Sequence, residues 1–321
     1  MAKVNDFTWK KGMLVSDLVG DMGSIGYQAT ELSEAAKVVL KMKKSGAKVF
    51  LTFTSNMVTS GLRGFFAQLC KLRIPNILVT TSAGLEEDIM KSLGETFDLG
   101  SFDSDDVQLH ERGENRIGNL IVRTESYMKF EDLMIEILTK IYEKKKRIMA
   151  SDLIREIGLM IKDYGEDYEN SILYQAAKND IPIYCPGIAD SSLGFQLFMF
   201  QQKNPDFIVD TIQDMQRVVT DLSFDEKKGL ISLGGSISKH YAIFAALMSG
   251  GFDYAVYLTT SHASSGSMGG ATTQEAKSWG KIKDDAEAAT VKGDVTLTFP
   301  LIMAYVLDNL DEEGLLNLEA E

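Results

Sequence analysis

The chain is poor in the residues that mark several common classes of protein. Its 321 residues include two cysteines, three histidines and five prolines. Cys70 and Cys185 are too few and too far apart to suggest a disulfide framework, which indicates a reducing compartment. Because the histidines and cysteines show no metal-ligand spacing, we expect no metal site.

Long apolar runs and an excess of basic residues are also absent. The most apolar stretch, 299–307, is far shorter than a membrane-spanning helix requires, and the first residues form no apolar signal segment. We therefore expect a cytoplasmic protein with no membrane partner. Acidic residues number 46 against 33 basic ones, for a formal net charge of −13. Such a charge disfavours nucleic acid as a partner and attracts a cationic one such as a polyamine, although ordinary solubility explains it as well.

What the chain does have is an alternation of short apolar strands and amphipathic helices. Apolar segments of strand length recur at 48–53, 77–80, 181–184, 229–233 and 254–258. A helical pattern from about 57 to 72 separates the first two of them. Repeated units of this kind predict an α/β fold with a mostly parallel, Rossmann-like, doubly wound sheet and helices on both faces.

The same pattern bears on the domain organisation. No internal repeat or low-complexity linker divides the sequence, and a hydrophobic content of 45% suffices for a sizeable core. We predict one domain over residues 1–321. Residues 1 to about 30 are expected to form an N-terminal extension that packs on the domain or on a neighbouring subunit. The acid-rich segment 100–115 is expected to be a long surface loop.

The segment 275–282 carries the most suggestive chemistry. Lys281 follows Trp279 by two residues and Glu275 by six, so no single helical face carries all three. A bend at Gly280 could bring them together. A lysine in a dry aromatic pocket loses its charge more easily, because desolvation disfavours the ammonium, and a neutral amine can form a Schiff base. From spacing alone, an ordinary solvated lysine is the better interpretation.

Ligands of an open parallel sheet bind beyond the carboxyl ends of its strands. Small and hydroxyl residues follow four predicted strands, at 52–56, 80–84, 234–235 and 259–260. They allow backbone amides to approach a pyrophosphate at a helix N-terminus, and tight strand-to-helix turns explain them equally well. His240 lies on the first turns of a predicted helix near such a turn, where a general base is reasonable, although a lone histidine is more often structural.

An ordered series of motifs resembles deoxyhypusine synthase over nearly the whole chain. Segment 275–282, Glu-Ala-Lys-Ser-Trp-Gly-Lys-Ile, is similar to the segment that carries the active lysine of that family. The other similar segments are 26–30, 53–56, 60–63, 80–88, 115–120, 129–131, 233–235, 239–240 and 253–257. Each is weak alone, but by their order and spacing the chain is identified as a member of this family.

The resemblance implies a reaction and a quaternary structure. In the family, NAD takes a hydride from spermidine, and the aminobutyl group passes as an imine to the active lysine. A lysine of translation initiation factor 5A then accepts the group. The resemblance also implies a homotetramer with active sites shared between subunits.

The resemblance further implies a role for individual residues. Lys281 is then the covalent lysine, and His240 is the base that takes protons from the polyamine. The substrate-binding positions are Glu86, Glu87, Glu275, Trp279 and Gly266. The positions that bind NAD are Ser55, Asn56, Thr81, Ser82, Glu87, Asp190, Gly235, Thr260 and Asp294.

The sequence departs from the family where the polyamine should bind. Phe195, Ser265 and Met268 replace family acids, and Phe244 replaces an asparagine. An ammonium group that loses its carboxylate binds less tightly, so these positions favour a shorter, less charged or more apolar amine. Three hypotheses follow: deoxyhypusine synthase or a diverged aminobutyl transferase, a homospermidine-synthase-like enzyme with a small amine acceptor, and a non-catalytic member that binds NAD. An unrelated NAD dehydrogenase is the least favoured interpretation.

Overall fold

The computed structural model describes residues 3–316 of the chain. Its α-helices are α1 (Val15–Met22), α2 (Tyr27–Lys44), α3 (Asn56–Thr59), α4 (Arg63–Lys71), α5 (Ser82–Ser92), α6 (Asp106–Glu111), α7 (Thr124–Lys144), α8 (Ala150–Met160), α9 (Ile172–Lys178), α10 (Ser191–Lys203), α11 (Thr211–Thr220), α12 (Ser236–Leu247), α13 (Thr273–Lys277) and α14 (Val295–Glu312). Its strands are β1 (Lys48–Thr52), β2 (Ile77–Val79), β3 (Asp98–Leu99), β4 (Glu114–Ile117), β5 (Leu120–Arg123), β6 (Arg147–Met149), β7 (Ile183–Tyr184), β8 (Ile208–Asp210), β9 (Lys228–Leu233), β10 (Phe252–Thr259) and β11 (Ile282–Lys292). Short 3₁₀ turns lie at Ile161–Asp163, Tyr168–Asn170 and Ala263–Ser265.

The described chain forms two compact units that are built from interleaved segments. Unit 1 consists of residues 3–53, Leu72–Val79 and residues 215–316. Unit 2 consists of Thr54–Lys71 and Thr80–Asp214. The single domain over 1–321 stays a prediction.

Unit 1 is built on a parallel sheet in which the strands follow the order β11-β10-β9-β1-β2. In its centre, Phe50 of β1 pairs with Ile77 of β2 on one side and with Leu230 of β9 on the other. All six residues of β9 are buried, as expected for a strand of a parallel sheet that is covered on both faces. Helix α2 packs on β10 and β11, and α12 packs on β1 and β2. The predicted α/β fold with a mostly parallel sheet flanked by helices is confirmed.

Close approach between helix α2 and the sheet depends on small side chains. Ala35 and Ala36 of α2 are completely buried. Gly229 of β9 lies against Met42 of the same helix, and a Cβ atom at this glycine would lie 2.3 Å from the Met42 sulfur. The glycine therefore lets the helix lie directly on the strand.

The first residues of the chain belong to unit 1. Helix α1 packs on α2 and α14, while residues 3–14 form no helix or strand. The amide of Asn5 donates to the carbonyl of Ser24 at 3.0 Å. The extension over residues 1 to about 30, with its contact to a neighbouring subunit, stays a prediction, and residues 1 and 2 lie outside the described chain.

Unit 2 combines helices with a three-stranded antiparallel sheet, β3-β5-β4, and a parallel strand pair, β6-β8. The prediction of one long loop over 100–115 is wrong, because this segment contains helix α6 and the start of β4. The Asp105 side chain accepts hydrogen bonds from the amides of Val107 and Gln108 and thereby caps α6.

A buried ion pair holds the centre of unit 2 together. Asp88 is completely buried, and its carboxylate accepts from Arg63 Nε at 2.6 Å. The same carboxylate accepts from Ser171 Oγ at 2.7 Å and from the amide of Leu173 at 2.9 Å, at the start of α9. One carboxylate thus pairs with an arginine and accepts hydrogen bonds from free amides in the first turn of a helix.

We expect Asp88→Asn to lower the free energy of unfolding by about 3 kcal/mol, because it removes the buried carboxylate that pairs with Arg63 and leaves only the partly exposed Asp167 as its counter-charge. Urea unfolding followed by circular dichroism measures the change. Asp132→Asn, at an exposed position on α7, is the control. A loss no larger than that of the control would contradict this assignment.

Candidate active site

Lys281 is carried by the turn that leaves helix α13. Gly280 has a φ of +68°, in the left-handed region that glycine adopts without strain. The amide of Gly280 donates to the carbonyl of Lys277 at 2.9 Å, and the amide of Lys281 donates to the carbonyl of Ala276 at 3.1 Å. These two bonds define a Schellman turn. The bend predicted at Gly280 is therefore present.

The turn places three of the predicted residues in the wall of one cavity of unit 1. Glu275, Trp279 and Lys281 line this cavity, which has a volume of about 290 Å³. Lys281 is only 9% exposed, whereas Trp279 is 66% exposed. The Lys281 Nζ lies 5.2 Å from the centroid of the indole ring, within the range of a cation–π contact. An exposed indole ring thus lies beside a buried lysine.

Helix α12 and strand β10 supply further residues of the cavity wall. His240 and Lys239 project from the first turns of α12, and Tyr257 comes from β10. Lys239 is 1% exposed and Tyr257 is completely buried. The sequence reasoning gave Lys239 and Tyr257 no role in the site, although both lie in segments that resemble the family, 239–240 and 253–257. The Tyr257 hydroxyl has no hydrogen-bond partner within the described chain.

The charges around the cavity favour a neutral imidazole. Partial burial and the nearby positive charge of Lys281 lower the pKa of His240, so its neutral form, which can accept a proton, dominates near pH 7. Its ring stacks on Phe244 with a centroid distance of 6.2 Å. Burial lowers the pKa of Lys239 to about 7. Burial and the charge of Glu275 raise the pKa of Tyr257, which keeps its hydroxyl protonated.

The predicted cofactor residues of unit 1 lie at one edge of its sheet. The three residues come after the ends of β9, β10 and β11, which are parallel neighbours. Gly235 is the N-cap residue of α12, Thr260 directly follows β10, and Asp294 is the N-cap residue of α14. Asp294 caps α14 by accepting from the amide of Thr296 at 2.8 Å. Gly266 is exposed and is not among the residues that line the cavity.

Unit 2 holds two buried carboxylates on helix α5. Glu86 and Glu87 are 4% and 3% exposed. Glu86 accepts from the amide of Leu193 at 2.7 Å and from Ser191 Oγ at 2.9 Å, and Glu87 accepts from Thr59 Oγ1 at 3.1 Å. Burial is the main cause that raises the pKa of Glu86 to about 7 and that of Glu87 to about 8. An ammonium group brought to this pair would gain a charge-assisted hydrogen bond and shift both groups toward the ionised form.

The predicted cofactor residues of unit 2 lie at helix N-termini. Ser55, Thr81 and Asp190 are the N-cap residues of α3, α5 and α10. The Asp190 carboxylate accepts from the amide of Ser191 at 3.0 Å, whereas the Thr81 hydroxyl is buried and has no partner in the part of the chain that is described. Ser82 donates to the carbonyl of Ile188 at 3.1 Å. Asn56, at the start of α3, is exposed.

Two kinds of feature are absent from residues 3–316. Among them, no group of three or more histidine, cysteine, aspartate or glutamate side chains is arranged to hold a metal ion. No helix within residues 3–316 combines the length and the apolar character that crossing a membrane requires.

We expect His240 to titrate below pH 6.5 in the free protein, and its pKa to rise toward 6.5 in Lys281→Met. The positive charge of Lys281 disfavours protonation of the imidazole, so its removal makes protonation easier. NMR of ¹³C-labelled histidine resolves the three residues, and His240→Gln assigns the signal. Lys277→Met, which removes a lysine of α13 outside the cavity, should leave the titration unchanged. An unaltered pKa in Lys281→Met would show that the two side chains are not neighbours.

We expect Glu87→Gln to be more stable than the parent at pH 8 by about 2 kcal/mol, and no more stable at pH 4. The folded-state pKa of Glu87 lies above its unfolded value of 4.5. The carboxyl group therefore contributes stability below pH 4.5, and this contribution is lost as the pH rises through 8. Urea unfolding at the two pH values measures it, with the exposed Glu143→Gln as control. An equal effect at both pH values would rule out the raised pKa.

Comparison with known proteins places this chain in a family. The family model described as deoxyhypusine synthase matches residues 17–306. The protein named "Probable deoxyhypusine synthase" from Thermoplasma volcanium is 40% identical over 307 residues, which cover 95% of this chain and 97% of that protein. Deoxyhypusine synthase from Senecio vernalis is 36% identical over 333 residues, with 94% and 88% covered.

A likeness in fold accompanies the likeness in sequence. A crystal structure from Entamoeba histolytica, assigned to deoxyhypusine synthase, matches with a TM-score of 0.65 and covers 95% of this chain and 97% of its own. Because the sequence identity is only 24%, this structure supports the fold alone. The family model spans most of the described residues, and the curated relatives cover nearly all of the chain. The chain therefore belongs to the deoxyhypusine synthase family.

Proposed function

We propose that this chain is an NAD-dependent aminobutyl transferase of the deoxyhypusine synthase type. The observation that carries the proposal is a buried lysine, Lys281, in one cavity with Trp279, Glu275 and His240, in a chain of this family. The donor is spermidine or a related amine. A homospermidine-synthase-like activity is not favoured, because the relatives compared above carry the name deoxyhypusine synthase.

Features of both units fit NAD as the cofactor. In unit 2, helix α5 begins without a side-chain cap, and the buried Thr81 hydroxyl lacks a partner among the described residues. In unit 1, helix α12 begins without a side-chain cap behind Gly235. Free amides at a helix N-terminus bind anionic groups such as a pyrophosphate, and an unpaired buried hydroxyl is satisfied by a ligand.

We assign the cofactor to the residues that the resemblance indicates. They are Ser55, Asn56, Thr81, Ser82, Glu87 and Asp190 in unit 2 and Gly235, Thr260 and Asp294 in unit 1. NAD, when bound, accepts a hydride from the donor amine and later returns it.

The side chains of the cavity perform the transfer. His240 takes a proton from the donor amine as the amine is oxidised to an imine. The Lys281 amine attacks the imine carbon, a new C–N bond forms, and the bond to the departing diaminopropane nitrogen breaks. Trp279 lies along the aliphatic chain and keeps water from the imine. Glu275 holds an ammonium end through a charge-assisted hydrogen bond.

The residues that depart from the family pattern bear on the donor. Met268 lines the cavity, and Phe244 is 40% exposed beside His240. Phe195, in unit 2, is 54% exposed. Among the described residues that line the cavity of unit 1, Glu275 is the one carboxylate. We infer that this cavity holds a single ammonium end of the donor and packs the rest of it against apolar side chains.

The acceptor and the quaternary structure belong to the same proposal. The acceptor is a lysine side chain of translation initiation factor 5A, whose cationic amine suits a chain with a net charge of −13. The chain assembles as a homotetramer. Size-exclusion chromatography with light scattering tests this directly, and a mass near that of the single 35.5 kDa chain would contradict it.

We expect Lys281→Met to retain spermidine-dependent NADH formation but to release no aminobutyl product, because oxidation of the donor precedes attack by the lysine. His240→Gln should slow NADH formation by about 10²- to 10⁴-fold, since it removes the base. Absorbance at 340 nm follows the first step, and mass spectrometry of the acceptor follows the second. Lys277→Met is the control for the lysine substitution.

Full transfer by Lys281→Met would overturn the proposed function. Tight NAD binding with no NADH signal for any amine would instead identify a non-catalytic member of the family. Net release of NADH into solution by the parent protein would indicate an ordinary dehydrogenase.

A further inference from the structure

Lys239 is the least explained ionisable side chain of the cavity. Its Nζ donates to the carbonyl of Met268 at 3.0 Å and to the carbonyl of Ala271 at 2.9 Å. It also lies 3.7 Å from the centroid of the Tyr257 ring. Two carbonyl oxygens and an aromatic face thus satisfy the three N–H groups of an ammonium. The side chain is 1% exposed, so these contacts take the place of water and stabilise the ammonium form against the burial that lowers its pKa.

This geometry favours a structural ammonium over a second nucleophile. An amine attacks through its lone pair, and all four directions around this nitrogen are taken by its side chain, the two carbonyls and the ring. Lys281, in contrast, has its ring contact with Trp279, which is 66% exposed. The two lysines of one cavity therefore have different roles.

The two carbonyls that Lys239 binds belong to the segment 266–272, which leads into helix α13. The next residue after Ala271 is Thr272, whose side chain caps α13 by accepting from the amide of Glu275 at 3.3 Å. Helix α13 then ends in the Gly280 turn. A displacement of Ala271 would thus be passed to Glu275 and Lys281 along one short helix.

The same segment is held at a second point on helix α12. A Cβ atom built on Gly235 would lie 2.3 Å from the Cα of Gly269. The backbone of the segment therefore crosses directly over the start of α12, and Lys239 secures it one turn further on. His240 is the next residue on that helix, so Lys239 joins the element that carries the base to the element that carries the covalent lysine.

We propose that Lys239 is a positioning residue: its ammonium fixes segment 266–272 and thereby sets the distance between His240 and Lys281. The inference rests on the proposed function, because the transfer between these two side chains is the step that it positions. Without the two hydrogen bonds of Lys239, α13 shifts, and a misplacement of Lys281 by about 1 Å is enough to lower the rate about 10²-fold.

The test compares variants of Lys239 in the full-length protein with NAD, spermidine and an acceptor lysine. We expect Lys239→Met to lower kcat for transfer by about 10²-fold, while KM for spermidine changes by less than about threefold. Lys239→Arg keeps the positive charge and can still donate to both carbonyls, so it should recover part of kcat. Lys277→Met is the control, and its kcat and KM should match those of the parent. It removes a lysine of α13 that lies outside the cavity and donates to the carbonyl of Asp284.

A second readout separates positioning from general destabilisation. In a Trp9→Phe background Trp279 is the sole tryptophan. Lys239→Met should then increase the quenching of Trp279 fluorescence by acrylamide. The measurement is made at a temperature where circular dichroism shows that the protein is folded. If Lys239→Met does not fold, Lys239→Gln takes its place, since its shorter amide cannot span both carbonyls.

The outcomes distinguish the inference from the proposed function. Parent-level kcat in a folded Lys239→Met or Lys239→Gln variant would overturn the positioning role and leave the transferase intact. A rise in KM with unchanged kcat would also overturn it, because it would make Lys239 a binding residue. Absence of transfer by the parent protein itself would instead refute the proposed function.

Discussion

The left-handed turn at Gly280 is the constraint on which the cavity of unit 1 depends. It reverses the chain between α13 and β11 within a few residues and satisfies two carbonyls of the helix end. A side chain at this φ of +68° would add roughly 1–2 kcal/mol of strain. Gly251 lies against the turn, since a Cβ atom there would lie 2.7 Å from the Gly280 carbonyl oxygen. Two glycines thus allow a buried lysine to follow an exposed tryptophan by only two residues.

Burial of ionisable groups is the second feature that shapes the chemistry. Removing a charge from water is costly unless hydrogen bonds or counter-charges replace the lost hydration. Lys239 obtains them from two carbonyls, and Glu86 obtains them from Ser191 and an amide. Where they replace the lost hydration only in part, the pKa moves toward neutrality, as it does for Lys239, Glu86 and Glu87. Groups of this kind gain or lose a proton readily when a charged amine binds.

The sheet of unit 1 could be predicted because its strands are continuous apolar runs bounded by turn residues. The segment predicted at 48–53 is the strand Lys48–Thr52, and the one at 254–258 lies within Phe252–Thr259. The segment 100–115 was predicted wrongly as a loop, because its acids suggested solvent while Asp105 in fact caps a helix. Polar residues that serve as caps cannot be told from polar residues of a loop by composition.

The site was only partly accessible from the sequence. The motif around Lys281 indicated the lysine, the tryptophan and the bend, since all lie within eight residues. The burial of Lys239 could not be predicted, because its partners in segment 266–272 are about 30 residues away and act through backbone carbonyls. Every residue has a backbone carbonyl, so the sequence does not show which of them a lysine side chain binds. The remaining residue roles came from resemblance to a family and stay proposals for this chain.

In the proposed reaction Lys281, and no other lysine of the cavity, carries the transferred group. Incubation with NAD and spermidine, reduction with borohydride and peptide mapping by mass spectrometry test it most directly. We expect an added aminobutyl group on Lys281 and an unmodified Lys239. An adduct on Lys239, or no adduct on either lysine while NADH forms, would contradict it.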